Sequence, residues 1–101
     1  MPYFIQTFDK PGTAQLRADI RAEHLRYLDQ TKGVLLACGA KLSETDGLPT
    51  GGVYLVDVET RAEAEAYLAA DPFAKADLFR EVQIEPWRVA FLDRESLIDI
   101  P

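Results

Sequence analysis

Apolar positions recur along the chain with two different spacings, and these spacings predict its helices and strands. Short runs rich in aromatic and β-branched residues predict strands, and longer runs with apolar residues every three or four positions predict helices. The predicted strands are Tyr3–Phe8, Val34–Ala40, Val53–Val58 and Val82–Phe91. Helices are predicted from Ala14 to about Thr31 and from after Thr60 to about Ala70, with another helical turn over Phe73–Leu78. The order of the main elements is therefore β-α-β-β-α-β.

Several residues at or inside these runs predict local features. Thr13 is expected to cap the first helix through its side chain. Thr60 and Glu63 have the spacing of a capping box at the second helix. Gly39, inside the second strand, predicts a bulge or a close approach of another backbone segment. Pro86 predicts a bulge or an edge position in the fourth strand because proline cannot donate to the ladder.

The order of elements predicts an α+β, ferredoxin-like fold, with a four-stranded antiparallel sheet and both helices on one face. In the first strand, however, Tyr3 and Ile5 point to one side and Phe4 and Phe8 to the other, and the third strand is also apolar on both sides. A face open to water would be polar. The helix-free face is therefore expected to be buried against a second copy of the chain, in a homodimer. Residues 1–101 are expected to form one domain, with 92–101 as a C-terminal tail.

Composition and charge narrow the classes of function. The net charge is −6, whereas a nucleic-acid-binding face needs basic residues. No apolar run reaches the ~18–20 residues of a membrane span, and no signal peptide is visible. Cys38 is the only cysteine, so it closes no intrachain disulfide, and with one histidine a Cys/His metal site has too few ligands. We therefore expect no nucleic acid, membrane, metal or cofactor, and a cytoplasmic location.

The only histidine lies within the apolar stripe of the first helix. At about 100° per residue, Leu16 and Tyr27 share one side of this helix, and His24 falls between them. A neutral imidazole is a good general base when a carboxylate holds one ring nitrogen and leaves the other free. Asp71, just after the second helix, can supply that carboxylate. The alternative, favoured by the residues alone, is a structural histidine bonded to backbone and an Asp71 that caps the turn before Pro72.

Two arginines of the first helix lie at the margin of the same stripe. Arg17 and Arg21 can hold an anionic group through bidentate hydrogen bonds. The alternative, again favoured by the residues alone, is that they pair with acidic residues on the helix surface, namely Asp19, Glu23 or Asp29.

Three other residues, Ser43, Phe73 and Trp87, are candidates for contacts with a ligand, whereas Cys38 is not. Ser43 lies in a polar, glycine-rich loop between the second and third strands. Phe73 and Trp87 can line an apolar pocket, although packing in the core is the simpler role for each. Cys38 lies inside an apolar strand and is expected to be an inert, buried thiol rather than a nucleophile.

Four motifs together resemble the YciI-like (YCII-related) family. They are Arg21–Leu28, Gly33–Gly39, Asp71–Phe73 and Ile84–Trp87, and the resemblance extends from Tyr3 to about Phe91. It implies a ferredoxin-like fold of the dimeric α/β-barrel superfamily, in which two four-stranded sheets pack face to face. The active site proposed for the family is a His–Asp pair, which His24 and Asp71 match, so the resemblance favours the catalytic interpretation. Cys38-Gly39-Ala40 replaces the Gly-Gly-Pro-like run that is usual in the family.

The resemblance also implies a class of reaction. Relatives include a dehydrochlorinase acting on a chlorinated hydroxyhydroquinone, and the superfamily includes muconolactone isomerases and cofactor-free monooxygenases. We therefore expect a small cofactor-free enzyme, dehydrochlorinase-, isomerase- or lyase-like. In it His24 moves a proton on a small aromatic or lactone-like anion, and Asp71 orients the imidazole. The alternative is a non-catalytic dimeric module that binds a small ligand or a larger protein.

Overall fold

The predicted order of elements is confirmed by a computed structural model, which describes residues 1–101. Each helix and strand follows the spacing of apolar residues described above, with shifts at some ends. The elements are β1 (Tyr3–Asp9), α1 (Ala14–Gln30), β2 (Leu35–Leu42), β3 (Pro49–Val56), α2 (Arg61–Ala69), α3 (Pro72–Lys75), β4 (Phe79–Pro86), β5 (Phe91–Leu92) and β6 (Glu95–Ser96). A short 3-10 turn, Lys32–Val34, joins α1 to β2.

The four long strands form one antiparallel sheet in the order β2-β3-β1-β4. Ile5 in the central strand β1 lies opposite Tyr54 of β3 on one side and Ile84 of β4 on the other. The Tyr54 ring packs against His24 of α1 and Tyr67 of α2. Both long helices therefore cover the same face of the sheet, and the fold is ferredoxin-like as predicted.

The hydrophobic core lies mainly between this face and α2. Ile5, Tyr54 and Val56 of the sheet pack there against three buried residues of α2, which are Ala64, Tyr67 and Leu68. In α1, by contrast, His24 is the only buried residue. The first helix therefore packs less closely on the sheet than the second, and this leaves room for a cavity beside His24.

The opposite face of the sheet is apolar but not covered within the chain. Phe4 pairs with Leu55 across β1 and β3, and Phe8 points to the same side because strand side chains alternate. The ammonium of Lys41 lies 3.4 Å from the centre of the Phe8 ring. These side chains are only partly buried, so the apolar character that the sequence predicts for both faces is present in the structure.

Two local predictions about helix starts need correction. The hydroxyl of Thr13 donates to the carbonyl of Lys10 and makes no cap hydrogen bond to α1. Thr60 does cap α2, because its hydroxyl oxygen accepts from the backbone N–H of Glu63 at 3.2 Å. The carboxylate of Glu63 accepts from the Thr60 hydroxyl, at 3.0 Å, so only half of the capping box forms.

The predictions for the second and fourth strands were also wrong in part. The pairing of β2 with β3 is irregular between Leu35 and Ala37 and between Lys41 and Leu42, and not at Gly39. Outside the two adjacent residues, no heavy atom lies within 4 Å of the position that a Cβ on Gly39 would take, so the close backbone approach is absent as well. Pro86 ends β4, which is an edge strand as its proline suggested, whereas the predicted strand continued to Phe91. The backbone N–H of the next residue, Trp87, donates to the carbonyl of Pro2, which precedes β1, so the ladder between β4 and β1 ends here.

The last residues contain a second, smaller sheet. β5 and β6 pair as a hairpin over residues 91–96, all of which lie in the segment predicted as a tail except Phe91, the last residue of the predicted fourth strand. Its turn residues, Asp93 and Arg94, have positive φ angles of 51° and 66°, as tight hairpin turns require. None of the helices has both the length and the apolar composition needed to cross a membrane.

Candidate active site

Asp71 is the centre of the site, at the junction between α2 and α3. Pro72 disfavours a helical conformation for the residue before it, so Asp71 is extended, with φ −68° and ψ 131°. Its Oδ1 accepts from the backbone N–H of Phe73 at 2.9 Å, and so caps α3. The residue is 0% exposed, so its carboxylate must be satisfied by protein donors. Asp71 therefore caps the turn at Pro72, as one of the two interpretations of the sequence predicted.

His24 approaches the same carboxylate from α1. Its Nδ1 lies 2.8 Å from Oδ1 and 2.9 Å from Oδ2 of Asp71. An ionised carboxylate only accepts hydrogen bonds, so Nδ1 carries the proton in the neutral ring. The imidazole also stacks on Phe73, with ring centres 3.9 Å apart and planes 13° from parallel. Nε2 makes no hydrogen bond within the chain and is left with its lone pair free.

A cavity of about 190 Å³ lies beside this pair, between α1 and the strands β2 and β3. His24, Arg17 and Arg21 supply its basic groups, and Cys38 and Tyr54 add two further titratable side chains. The remaining lining is mostly apolar or backbone, and includes Leu25, Leu28, Phe73, Gly39 and Gly52. A space of this size and character suits a small ring compound, with polar groups at a few positions only.

The two arginines in the cavity lining have different environments. Arg17 is fixed, because its Nε donates to Asp9 at 2.8 Å and a terminal nitrogen donates to the carbonyl of Gly51 at 3.0 Å. Its guanidinium also lies 4.7 Å from the centre of the Phe73 ring. Arg21 is exposed and makes no ion pair within the chain. Pairing with acidic residues of the helix surface is therefore wrong for both arginines.

Not all of the predicted ligand contacts come together in the structure. Phe73 lines the cavity. Ser43 does not, since its hydroxyl bonds to that of Thr45 at 2.9 Å and it faces a separate depression beside Asp9. Trp87 is half-buried just after the end of β4 and is also absent from the lining of the cavity.

Cys38 differs from its prediction as well. It lines the cavity and is exposed, so the expectation of a buried thiol is wrong. Loss of solvent around the sulfur and the negative charge of Asp71 raise the pKa of this thiol to about 11. At neutral pH it is therefore a neutral thiol and a weak nucleophile.

Two residues of the site were missed by the sequence analysis. Asp9 holds Arg17, and the hydroxyl of Tyr54 donates to Oδ2 of Asp71 at 2.7 Å. The role of Tyr54 was predictable in part, because a tyrosine on the buried side of a strand needs a hydrogen-bond partner for its hydroxyl. The role of Asp9 was not predictable from the sequence, since an aspartate at the end of a strand is typical of a turn.

Comparison with known proteins identifies the family. Residues 1–88 match the YCII-related domain. The chain belongs to the YCII-related family. Protein YciI of Escherichia coli O6:H1 is 28% identical over 98 residues, which cover 90% of this chain and 100% of YciI. An uncharacterized protein of Haemophilus influenzae is 29% identical over 98 residues, with 90% and 100% covered.

A similar solved structure is that of an enzyme. It is the 5-chloro-2-hydroxyhydroquinone dehydrochlorinase of Burkholderia phenoliruptrix AC1100, in complex with 2,5-dihydroxybenzoquinone. Its sequence is 33% identical to this chain, and the alignment covers 87% of this chain and 94% of the enzyme, with a TM-score of 0.82. This chain of the YCII-related family is thus similar to an enzyme that acts on a small hydroxylated ring.

Proposed function

We propose that this protein is an enzyme in which His24 transfers a proton to and from a small anionic ring compound. One observation carries the proposal: Asp71 binds Nδ1 of His24, while Nε2 has no partner and the ring lines a cavity. An imidazole held in this way is oriented as a general base, and the buried carboxylate stabilises the imidazolium that forms. The likeness to a dehydrochlorinase supports the same class of chemistry.

Loss of hydrogen chloride from a chlorinated hydroxyhydroquinone illustrates the step. Nε2 of His24 takes the proton of one ring hydroxyl and delivers it to the chlorine-bearing carbon, so that this part of the ring becomes a ketone. Nε2 then takes the proton of a second hydroxyl, the electron pair left on that oxygen moves through the ring, and chloride leaves with the electrons of the C–Cl bond. The elimination needs no external oxidant, because the electrons that form the quinone are those that chloride removes. Isomerase- and lyase-like reactions use the same proton transfer with a different leaving group or none.

Arg21, rather than Arg17, is proposed to bind the anionic group of the substrate. Both guanidinium groups line the cavity, but Asp9 already neutralises Arg17 and fixes its direction. Arg21 has no carboxylate partner, so its donors are free for a phenolate or carboxylate. Arg17 then serves to hold Phe73, and through it the stacked imidazole of His24, in place.

Turnover of 5-chloro-2-hydroxyhydroquinone and related chlorinated hydroxyarenes, followed as chloride release, tests the proposal. His24→Gln should lower kcat by about 10²–10⁴-fold, the range expected for loss of a general base. Arg21→Gln should mainly raise KM. The matched control is Arg26→Gln, an exposed arginine of the same helix that does not line the cavity. Full activity in His24→Gln contradicts the proposal, and saturable binding without turnover favours the non-catalytic module.

We also propose that the helix-free face of the sheet pairs with a second copy of the chain. The support is the row of aromatic and aliphatic side chains that includes Phe4, Phe8 and Leu55, which is uncovered within one chain. Sedimentation at micromolar concentration should show twice the mass of one chain. Leu55→Glu should give the single-chain mass, whereas the control Arg26→Glu should not. A wild-type protein that sediments as one chain contradicts this proposal.

A further inference from the structure

We infer that Tyr54 is a positioning residue for the His24–Asp71 pair: its hydroxyl fixes the carboxylate, so that the imidazole presents Nε2 to the cavity. The contact itself is independent of any reaction. The kinetic consequence of losing it rests on the function proposed above, and the two are tested by separate measurements.

The hydrogen bonds to Asp71 are divided evenly between its two carboxylate oxygens. Each carboxylate oxygen has one donor besides the imidazole: the backbone N–H of Phe73 on Oδ1 at 2.9 Å, and the hydroxyl of Tyr54 on Oδ2 at 2.7 Å. Nδ1 of His24 then lies almost equally far from both oxygens. Rotation of the carboxylate would break one of these bonds. Tyr54 therefore holds the oxygen that the backbone leaves free.

The hydroxyl of Tyr54 has no partner other than Asp71. The residue is 2% exposed, and Asp71 is the one acceptor that its hydroxyl reaches. Burial and the charge of Asp71 raise the pKa of Tyr54, so the phenol stays protonated and remains a donor. It projects from β3, which has a hydrogen-bonded strand on each side in the sheet.

The position of the carboxylate bears on the proton transfer. When Nε2 takes a proton, the ring becomes positive, and a carboxylate already aligned with Nδ1–H stabilises that charge without reorganising. If Oδ2 loses the Tyr54 hydroxyl, the carboxylate keeps only the backbone donor besides the imidazole. The ring then has access to other orientations and to the tautomer that carries its proton on Nε2, which is not a base toward the cavity.

Tyr54→Phe tests the inference, because it removes the hydroxyl and keeps the ring. The matched control is Tyr67→Phe, which removes a hydroxyl that bonds to Thr31 at 2.8 Å and does not touch the pair. The chain has a single histidine, so ¹⁵N NMR of the imidazole needs no assignment. We expect the Nδ1–H tautomer in the wild type and in Tyr67→Phe, and a several-fold larger share of the Nε2–H tautomer in Tyr54→Phe. Identical imidazole spectra in all three proteins would overturn the inference.

Kinetics and a measurement on the wild type complete the test. Tyr54→Phe should lower kcat about tenfold, the value of one hydrogen bond to a charged group, and leave KM nearly unchanged. A changed tautomer in Tyr54→Phe together with full activity in His24→Gln would keep the inference and reject the proposed function. In the wild type, the Tyr54 hydroxyl proton should exchange slowly and show an NOE to the Nδ1 proton of His24. Its absence would count against the inference even if the variant failed to fold.

Discussion

Replacing Asp71 tests how far one buried carboxylate supports both the fold and the site. In Asp71→Ala, three donors lose their acceptor: the hydroxyl of Tyr54, the backbone N–H of Phe73 and Nδ1–H of His24. Asp71→Asn keeps one carbonyl oxygen and the shape of the side chain, but it removes the charge and places an NH₂ group against one of the donors. The two variants therefore separate the hydrogen bonds from the charge.

The size of each effect follows from the number of bonds lost. A buried polar group without a partner costs about 1–3 kcal/mol, and the imidazole can relieve its own loss by moving its proton to Nε2. Asp71→Ala should therefore lower the free energy of unfolding by about 3–5 kcal/mol, the range seen when one member of a buried pair is removed. For 101 residues the total is about 5–15 kcal/mol, so the loss is a large fraction of the free energy of unfolding. Asp71→Asn should cost about 1–2 kcal/mol.

Urea unfolding, followed by the fluorescence of the only tryptophan and by circular dichroism, measures these changes. Asp29→Ala is the control, because Asp29 is an exposed carboxylate paired with Lys32 on the surface and should change stability by less than about 0.5 kcal/mol. A loss below about 1 kcal/mol in Asp71→Ala would refute the reasoning. It would mean that the donors find other partners and that the carboxylate does not organise this region.

Three further predictions concern the cavity and its surroundings. Cys38 should react slowly with iodoacetamide at neutral pH, with a midpoint in its pH profile near 11, and Asp71→Asn should lower that midpoint by removing a nearby negative charge. Gly52→Ala should fold but weaken ligand binding, because the added Cβ would lie in the cavity floor with ordinary or slightly tight contacts. Gly51→Ala should unfold or strongly destabilise the protein, because the added Cβ would overlap a backbone carbonyl. Thermal melts and ligand titrations distinguish the two variants, and equal stability of both would contradict this prediction. Folding raises the pKa of Tyr27 from 10.0 to about 12, so between these pH values the folded chain keeps a proton that the unfolded chain loses. The free energy of unfolding should therefore fall as the pH rises through that range. Urea midpoints should show a shallower fall in Tyr27→Phe.

The chain shows where local pattern is a sufficient guide to structure. Periodicity located the four long strands and two long helices, because burial on one side of an element leaves its spacing in the sequence. It also placed His24 on the inner side of α1, where it is the one buried residue of that helix. The ends of elements were less predictable. The Thr13 hydroxyl donates to the carbonyl of Lys10 and accepts no N–H of α1. β4 stopped at Pro86, and the backbone N–H of the next residue donates to the carbonyl of Pro2.

The sequence by itself determined the order of elements, the apolar character of both faces of the sheet, and the presence of one histidine and one candidate carboxylate on elements that share a face. Only the tertiary structure decided which groups meet. It joined Arg17 to Asp9, left Arg21 free, exposed Cys38 to the cavity and brought Tyr54 to Asp71. The physical reason is that the spacing of apolar residues reflects which side of an element is buried. The partner of a hydrogen bond depends instead on how separate elements pack together, and the residues next to it in sequence do not specify that packing.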